Sequence, residues 1–340
     1  MSESLAKLES KLEDEGSFLE AGQVQKRNLL EGVPWDHHVL HCSASRDIQP
    51  DGTVAPQHFA WSTLRRLEAL MAAMRRQTYP RNCNQFIVIE GLTAHDKSLL
   101  ASNLLPGDCR VMYEGTTGLV KVLSTASQVI APKLFLQEIL RQPLHHGCAN
   151  AAAGRALSDA AFQPTADSVK HPDLCWYPAS RISHGHPVPG QWPTLVIEAG
   201  LEGCRKKLQH EVRWWFAHSR GGVRTVLLLL VDEPTQDLHV EQWQLAQPDA
   251  QGPRVPEADR FHALAAMPPL ARQSPLDQKP YCARRITIGK TRAYGEPLRF
   301  YTQALFDVDP MMCGLPPDFV VDRQDLVDCV KRVFGREVEE

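Results

Sequence analysis

The chain has 340 residues, of which 43% are hydrophobic and 23% are charged. These proportions are ordinary for a globular protein and exclude a fibrous or wholly disordered chain. The formal net charge of −3 excludes a global basic field of the kind that drives non-specific nucleic-acid binding, so any contact with nucleic acid has to be local.

Residues 1–85 are predicted to form an N-terminal helical extension that is partly flexible. Residues 1–30 carry spaced leucines among charged side chains, which fits either an amphipathic interaction helix or a frayed tail. The tail is favoured because isolated helices are marginal in water. Residues 59–74 place Leu and Met at helical spacing, which predicts a helix that packs into the core.

Strands and helices alternate after this extension. The run FIVIE at Phe86–Glu90 predicts a short strand, and residues 95–105 predict a helix. Residues 110–124 read RVMYEGTTGLVKVLS, which predicts a hairpin around the GTTG turn. Residues 128–141 follow with a helical pattern.

Two acidic residues stand next to apolar strand runs in the middle of the chain. WPTLVIEAG reads as a buried strand that ends at Glu198, and a buried carboxylate must be paired, hydrogen-bonded or bound to a metal. Asp173 opens a short run, 174–177, that can pair antiparallel with the Glu198 strand, so the two carboxylates can converge. Two convergent carboxylates suit Mg²⁺ or Mn²⁺, and such a site suits phosphodiester hydrolysis.

The following segment is predicted to cover these strands. Residues 201–219 predict an amphipathic helix, residues 222–232 an apolar strand and residues 238–245 an alternating strand.

The last quarter of the chain begins with a proline-rich stretch. Residues 246–280 carry seven prolines, which predicts a long excursion rather than packed structure. Residues 284–288 and 298–305 predict a strand pair, and residues 322–334 predict a closing amphipathic helix.

The cysteines and the longest apolar run bear on the compartment. The nine cysteines show no CxxC pair and no zinc spacing, which favours thiols in a reducing intracellular compartment, cytoplasmic or nuclear. The run at 226–231 is too short to span a bilayer, so no membrane association is expected.

The succession LVKVLS, PDLCWYP, WPTLVIEAG, KLQHEVRWWFAHS and VRTVLLLLVD resembles the PD-(D/E)XK nuclease-like superfamily, most of all a branch abundant in filamentous fungi. The resemblance covers residues 110–334 and implies a nuclease-like domain over 86–340. It implies an α/β fold of restriction-endonuclease type, with a mixed central sheet flanked by helices. It also implies that Asp173 and Glu198 bind Mg²⁺ or Mn²⁺, which activates a water for attack on a DNA or RNA phosphodiester.

The chain departs from the family pattern at three places. The superfamily's lysine stands two residues after the glutamate, where this chain has Gly200, and the resemblance implies that Lys206 or Lys207 reaches back from the next helix. Gln128 stands where the branch often has the glutamate of a His-Glu pair. Residues 202–204 read Glu-Gly-Cys, where the branch usually has Ser-Glu-Ser.

The residues alone leave a structural role open for both carboxylates. Asp173 can cap a turn, and Glu198 can form a salt bridge with an arginine such as Arg205. Glu211 is predicted to pair with Lys207 across one helical turn.

Two functions therefore stay open. The first is a metal-dependent nuclease, favoured by Asp173 and Glu198 at hairpin spacing. The second is a catalytically inactive nuclease-like domain that serves as a binding or scaffolding module, favoured by Gly200 and Gln128.

Overall fold

The computed structural model describes residues 57–60, 64–76, 85–101, 108–145, 153–158, 160–245, 280–310 and 315–335. All of them belong to one unit, Cys42–Glu340. The predictions for residues 1–30 and for the proline-rich stretch up to residue 279 lie outside the described residues.

The strands of the described ranges are β1 (Gln57–Ala60), β2 (Phe86–Glu90), β3 (Cys109–Glu114), β4 (Thr117–Val122), β5 (Arg155–Leu157), β6 (Phe162–Thr165), β7 (Ser168–Lys170), β8 (Leu174–Tyr177), β9 (Ile182–Ser183), β10 (His186–Pro187), β11 (Leu195–Leu201), β12 (Thr225–Asp232), β13 (Asp237–Leu245), β14 (Pro280–Ile288), β15 (Ala293–Gly295), β16 (Arg299–Tyr301) and β17 (Asp318–Val320). The α-helices are α1 (Leu64–Arg76), α2 (Ala94–Ala101), α3 (Ala126–His145), α4 (Arg205–Ser219), α5 (Thr302–Phe306) and α6 (Arg323–Val333). Short 3₁₀ helices lie at Ala179–Arg181 and Glu202–Cys204.

Seven of these strands form a mixed sheet in the order β15-β14-β13-β12-β11-β8-β5. β11 runs parallel to β12, and the other neighbours are antiparallel. The predicted pairing of the Asp173 and Glu198 strands is confirmed, because Ile197 lies opposite Leu174 and Leu195 lies opposite Trp176. The helix predicted over 201–219 is confirmed over Arg205–Ser219 as α4, whereas Leu201 belongs to β11 and Glu202–Cys204 form a 3₁₀ helix.

The two faces of β11 have different neighbours because strand side chains alternate. Leu195, Ile197 and Ala199 belong to a core cluster shared with α3 and α6. Glu198 and Gly200 point to the opposite face, which α4 covers. The Glu198 carboxylate therefore lies between the sheet and α4.

A second sheet has six strands in the order β1-β2-β4-β3-β7-β6. β1 pairs with β2 in parallel, and the other pairs are antiparallel. Residues 57–60 of the predicted extension thus share a sheet with Phe86–Glu90. The hairpin predicted over 110–124 is confirmed, with Glu114 opposite Thr117 across the turn. Helices α1 and α2 pack on this sheet around a separate core cluster.

Two sequence predictions are wrong. Phe59 lies in β1 and the helix begins at Leu64, although the apolar spacing suggested one continuous helix. β14 pairs with β13 and β15, while β16 pairs with β17, so the predicted pair of 284–288 with 298–305 does not form. A short apolar run predicts that a strand forms, but it does not predict which strand it pairs with.

The fold class is α/β, with mixed sheets flanked by helices, as predicted. Among the helices of the described ranges, none has the length and apolar character needed to cross a bilayer.

Candidate functional site

The structure brings Asp173 and Glu198 together through a lysine from the second sheet. Lys121, on β4, places its Nζ 2.7 Å from Asp173 Oδ2 and 2.6 Å from Glu198 Oε2. The side chains of all three are almost fully buried, with 3% of Lys121, 1% of Asp173 and none of Glu198 exposed. The three groups therefore form a closed contact between the two sheets.

A third carboxylate also contacts the Lys121 ammonium group. Glu211, on α4, places Oε2 3.4 Å from Lys121 Nζ. An ammonium has three N–H donors and no acceptor. Lys121 can therefore donate one hydrogen bond to each of the three carboxylates.

Two further cations surround the same carboxylates. Lys170 Nζ, from β7, lies 2.9 Å from Glu211 Oε2 and 3.7 Å from Glu198 Oε1. Arg110 Nε, from β3, lies 3.2 Å from Asp173 Oδ1. We call these six side chains the ionic network: Arg110, Lys121, Lys170, Asp173, Glu198 and Glu211. Three cations and three carboxylates leave it formally neutral.

Neutral donors hold the carboxylates in place. Trp215 Nε1, on α4, donates to Glu198 Oε1 at 2.7 Å, and the backbone N–H of Ala199 donates to Asp173 Oδ2 at 2.6 Å. Hydrogen bonds to charged acceptors are shorter and stronger than those between neutral groups. The two carboxylates are thus fixed by both sheets and by α4.

The pKa values in the network follow from burial and from these partners. Burial alone would lower the pKa of Lys121, but Asp173, Glu198 and Glu211 raise it above its ordinary value. Burial would raise the pKa of Glu198, yet Lys121 and Lys170 lower it to about 2. For Asp173, burial and the neighbouring Glu198 raise the pKa to about 6 against the opposing effect of Lys121 and Arg110. Lys121 is therefore an ammonium and Glu198 a carboxylate at neutral pH.

An aromatic layer lies beside the network. Trp215 makes edge-to-face contacts with Trp214 and Phe162, with ring centres 5.1 Å apart in both pairs. Lys170 Nζ lies 5.6 Å from the centre of the Trp215 ring. Both tryptophans are buried, so the layer shields the charges on this side from water.

The predicted lysines occupy other positions. Lys206 is exposed, and Lys207 is half-buried with Nζ 5.5 Å from the centre of the Phe86 ring. The ammonium groups in contact with the two carboxylates belong to Lys121 and Lys170.

The partners expected for a structural salt bridge also differ. Arg205 pairs with Glu202 and Glu241, whereas Glu198 pairs with the network lysines. Glu211 pairs with Lys170 and Lys121 because it faces the sheet from a buried position on α4.

Side chains from other elements pack against Gly200, the position at which the superfamily has its lysine. A Cβ on Gly200 would lie 2.3 Å from Leu208 Cδ1 and 2.9 Å from Gln85 Nε2. Both distances are shorter than those of real Cβ contacts, so a side chain at position 200 would force the ends of the Leu208 and Gln85 side chains to move. The ammonium group next to Glu198 comes from β4 instead.

Gln128 caps the start of α3. Its Oε1 accepts hydrogen bonds from the backbone N–H groups of Ser124 and Thr125, at 2.9 and 3.2 Å, and its own N–H donates to Thr125 Oγ1 at 3.4 Å. This reciprocal arrangement is a capping box. Gln128 Nε2 also donates to Gln85 Oε1 at 2.9 Å, which ties α3 to β11 because Gln85 Oε1 accepts from the Leu201 N–H.

Comparison with known proteins leaves the family open. No protein-family model matches this chain. No curated protein matches it either.

A divalent metal does not fit the network as it is arranged. The oxygens of Asp173 and Glu198 already face Lys121, Arg110, the Trp215 N–H and the Ala199 N–H. The network is neutral, so a metal ion would add two uncompensated positive charges to a buried site. Within the described ranges, no three His, Cys, Asp or Glu side chains are grouped so that they could hold a metal ion.

Lys121, Lys170 and Arg110 are not among the site residues predicted from the sequence. A signal for Lys121 exists in the sequence, because Leu119 and Leu123 stand two residues to either side of it and strand side chains alternate, so the lysine shares its strand face with apolar residues. A lysine inside such a strand is almost never fully buried unless it is paired.

We expect a lysine introduced at position 200 to destabilise the fold rather than to complete a catalytic motif. Gly200→Ala should cost about 1–3 kcal/mol, the usual cost of overpacking, and Gly200→Lys more, because the side chain would meet Leu208 and add a buried charge. Urea unfolding of both variants measures this. Ala217→Lys, on the exposed face of α4, is the matched control and should change stability by less than about 0.5 kcal/mol. Wild-type stability of Gly200→Lys would contradict the packing described here.

Proposed function

We propose that the chain carries a nuclease-like α/β domain of the PD-(D/E)XK type that serves as a binding or scaffolding module and does not cleave phosphodiesters. One observation carries this proposal: Lys121 Nζ lies 2.7 Å from Asp173 Oδ2 and 2.6 Å from Glu198 Oε2. The resemblance implies that the superfamily's divalent metal binds these two carboxylates. In this chain they hold an ammonium group.

The energetic cost of displacing this ammonium argues against metal binding. Breaking a buried ion pair by removing one partner costs about 3–5 kcal/mol. A metal that entered between Asp173 and Glu198 would have to offset this cost. Its affinity would fall by a factor of about 10² to 10⁴, since each 1.4 kcal/mol is tenfold.

Burial argues against contact between the network and a polymeric substrate. The exposed fractions of the Lys121, Lys170, Asp173, Glu198 and Glu211 side chains are 6% or less. A reacting phosphate must approach a catalytic group to about 3 Å. The network is closed to such an approach in this conformation.

A second function is favoured by the residue types that converge. Asp173, Glu198 and Lys121 are the two acids and the lysine that the superfamily's site requires. In this second candidate, a Mg²⁺- or Mn²⁺-dependent phosphodiesterase acting on DNA or RNA, Asp173 and Glu198 would hold the metal. Lys121 would then replace the motif lysine, in place of Lys206 or Lys207.

A cleavage assay separates the two functions. Purified wild-type protein is incubated with single- and double-stranded DNA and RNA in Mg²⁺, Mn²⁺ or EDTA, beside Asp173→Asn and Glu198→Gln. We expect no cleavage above the level of these variants. Circular dichroism checks that both variants are folded. Metal-dependent cleavage by the wild type that both folded variants lose would establish the phosphodiesterase instead.

The same samples test binding. The fluorescence anisotropy of labelled DNA and RNA oligonucleotides, measured in EDTA, reports whether the module binds nucleic acid without a metal. Exposed Glu296→Gln is the matched control for both assays, because it removes a carboxylate outside the network.

A further inference from the structure

Two arginines outside the ionic network share a single carboxylate. Arg181, at the end of the 3₁₀ helix Ala179–Arg181, donates from Nε to Asp307 Oδ2. Arg224, immediately before β12, places Nη2 3.6 Å from Asp307 Oδ1. The exposed fractions of these side chains are 8% for Arg181, 11% for Arg224 and 20% for Asp307. We call the three side chains the arginine cluster, and its formal charge is +1.

The two guanidinium groups of the cluster differ in how well they are hydrogen-bonded. Arg181 Nη1 also donates to the backbone carbonyls of Trp192 and Gly222, at 2.6 and 2.8 Å. The 3.6 Å contact of Arg224 with Asp307 is longer than a hydrogen bond, and Arg224 Nε is buried without a hydrogen-bond partner among the described residues. A guanidinium has five N–H donors and no acceptor. Arg224 therefore keeps donors that an added oxyanion can use.

The electrostatics of Arg224 show the same deficit of negative charge. Burial lowers the pKa of Arg224, Asp307 offsets this in part, and the neighbouring Arg181 lowers the pKa further. An arginine side chain stays charged at neutral pH in spite of such a shift. A charge this far from water is costly unless it is paired and hydrogen-bonded. One carboxylate opposite two guanidinium groups leaves the cluster one negative charge short.

We propose that Arg181 and Arg224 form a binding site for the carboxylate of a small organic acid, at the amino-terminal ends of β11 and β12. Arg224 is held there because its backbone N–H donates to Thr194 O, the residue before β11, at 2.9 Å. The inference goes beyond the proposed function and does not depend on it, since the cluster shares no residue with the ionic network.

Charge and shape select the class of ligand. A singly charged anion brings the arginine cluster to neutrality, whereas a doubly charged anion leaves it at −1. The two oxygens of a carboxylate also match two parallel N–H groups of a guanidinium fork, which a single-point anion such as chloride does not. Because only 11% of Arg224 and 20% of Asp307 are exposed, a small group can reach the cluster and the face of a macromolecule cannot.

The test is the thermal stability of the protein in sodium acetate, with sodium chloride added to keep the ionic strength constant. We expect acetate to raise the Tm of the wild type saturably, by about 2 °C or more at ten times Kd. Arg224→Gln should lose the saturable rise. Arg224→Lys keeps the charge without the fork and should bind acetate at least about tenfold more weakly.

The matched control is the same arginine-to-lysine change on the exposed face of α4. Arg213→Lys should respond to acetate as the wild type does. A rise of equal size in the wild type and in Arg224→Gln would be a non-specific effect of excluded anions and would overturn the proposal. The absence of any saturable rise in the wild type would overturn it as well.

Sodium sulfate tests the class of ligand in the same assay. We expect its saturable effect on the wild type to be weaker than that of acetate, because a doubly charged ion overcompensates the cluster. A saturable rise with sulfate that Arg224→Gln loses, together with none for acetate, would overturn the assignment to a carboxylate.

A direct measurement on the wild type keeps the test decisive if the Arg224 variants do not fold. The ¹H–¹⁵N signal of Arg224 Nε, assigned through its own side chain, is followed during the acetate titration. We expect this signal to shift saturably because the buried Nε lies beside the proposed ligand, while the signal of exposed Arg213 stays in place. An Arg224 signal that does not move would overturn the proposal.

Discussion

Replacing Lys121 by methionine is expected to destabilise the protein by about 3–5 kcal/mol, the usual cost of breaking a buried ion pair on one side. Methionine keeps most of the lysine's volume, so the change removes the charge with little loss of packing. The loss leaves Asp173, Glu198 and Glu211 buried opposite only Lys170 and Arg110. Urea unfolding at neutral pH, followed by tryptophan fluorescence, measures the effect.

The matched control is the same substitution outside the network. Lys133→Met lies on the exposed surface of α3 and should change the free energy of unfolding by less than about 0.5 kcal/mol. Equal stability of Lys121→Met and Lys133→Met would mean that the contacts of Lys121 with the carboxylates contribute nothing to the fold.

Glu198→Gln is expected to cost about 3 kcal/mol at neutral pH and to change the acid dependence of stability. Glutamine keeps an oxygen for the Trp215 N–H, but leaves Lys121 and Lys170 with one carboxylate fewer. Denaturant unfolding from pH 2 to pH 7 measures both effects. Glu68→Gln, on the exposed face of α1, is the control and should follow the wild-type curve.

The sign of the acid effect follows from the pKa of Glu198. Because the folded-state pKa is lowered from 4.5 to about 2, Glu198 stabilises the fold above pH 4.5 and this contribution is lost as the pH falls towards 2. In Glu198→Gln this part of the acid destabilisation should be absent, so the curve below pH 4.5 should be flatter. A variant curve parallel to the wild type would contradict the lowered pKa.

Asp173 has the opposite pH effect. Its pKa is raised from 3.8 to about 6, chiefly by burial, so its contribution is favourable below pH 3.8 and is lost as the pH rises through 6. Asp173→Asn should therefore lose less stability than the wild type between pH 4 and pH 6. Denaturant unfolding over this range measures it, and a steeper loss in the variant would contradict the raised pKa.

The local pattern was sufficient to predict the strands that carry the two acids. Leu195, Val196 and Ile197 form an apolar run that ends at Glu198, and the short run after Asp173 has the right length to pair with it. The helix that covers them follows directly in the chain. These elements are neighbours in sequence, so strand propensity and helical spacing identify them.

The cation partners could not be predicted in the same way. Lys121 lies 52 residues before Asp173 and 77 before Glu198, on a strand of the other sheet. No periodicity connects positions so far apart, because their contact depends on how the two sheets pack. The sequence contains part of the information, since a lysine that shares its strand face with Leu119 and Leu123 is expected to need a partner.

The structural reason for glycine at position 200 could not be predicted from the sequence. The family pattern has a lysine at this position, whereas Leu208 of α4 fills the space next to Gly200. Gln128 stands where the branch often has a glutamate, and in the structure it caps α3 through Ser124 and Thr125. In both cases the substitution has a local packing or capping role.

The measurement that tests the central claim most directly is the ¹H–¹⁵N NMR signal of the Lys121 ammonium group. An ammonium that is buried and bonded to three carboxylates should exchange its protons slowly and give a resolved signal that Lys121→Met removes. We predict that this signal is present in the wild type and is not broadened by stoichiometric paramagnetic Mn²⁺. A Lys121 signal that is absent through fast exchange, or that Mn²⁺ broadens selectively, would show that the carboxylates are open to a metal.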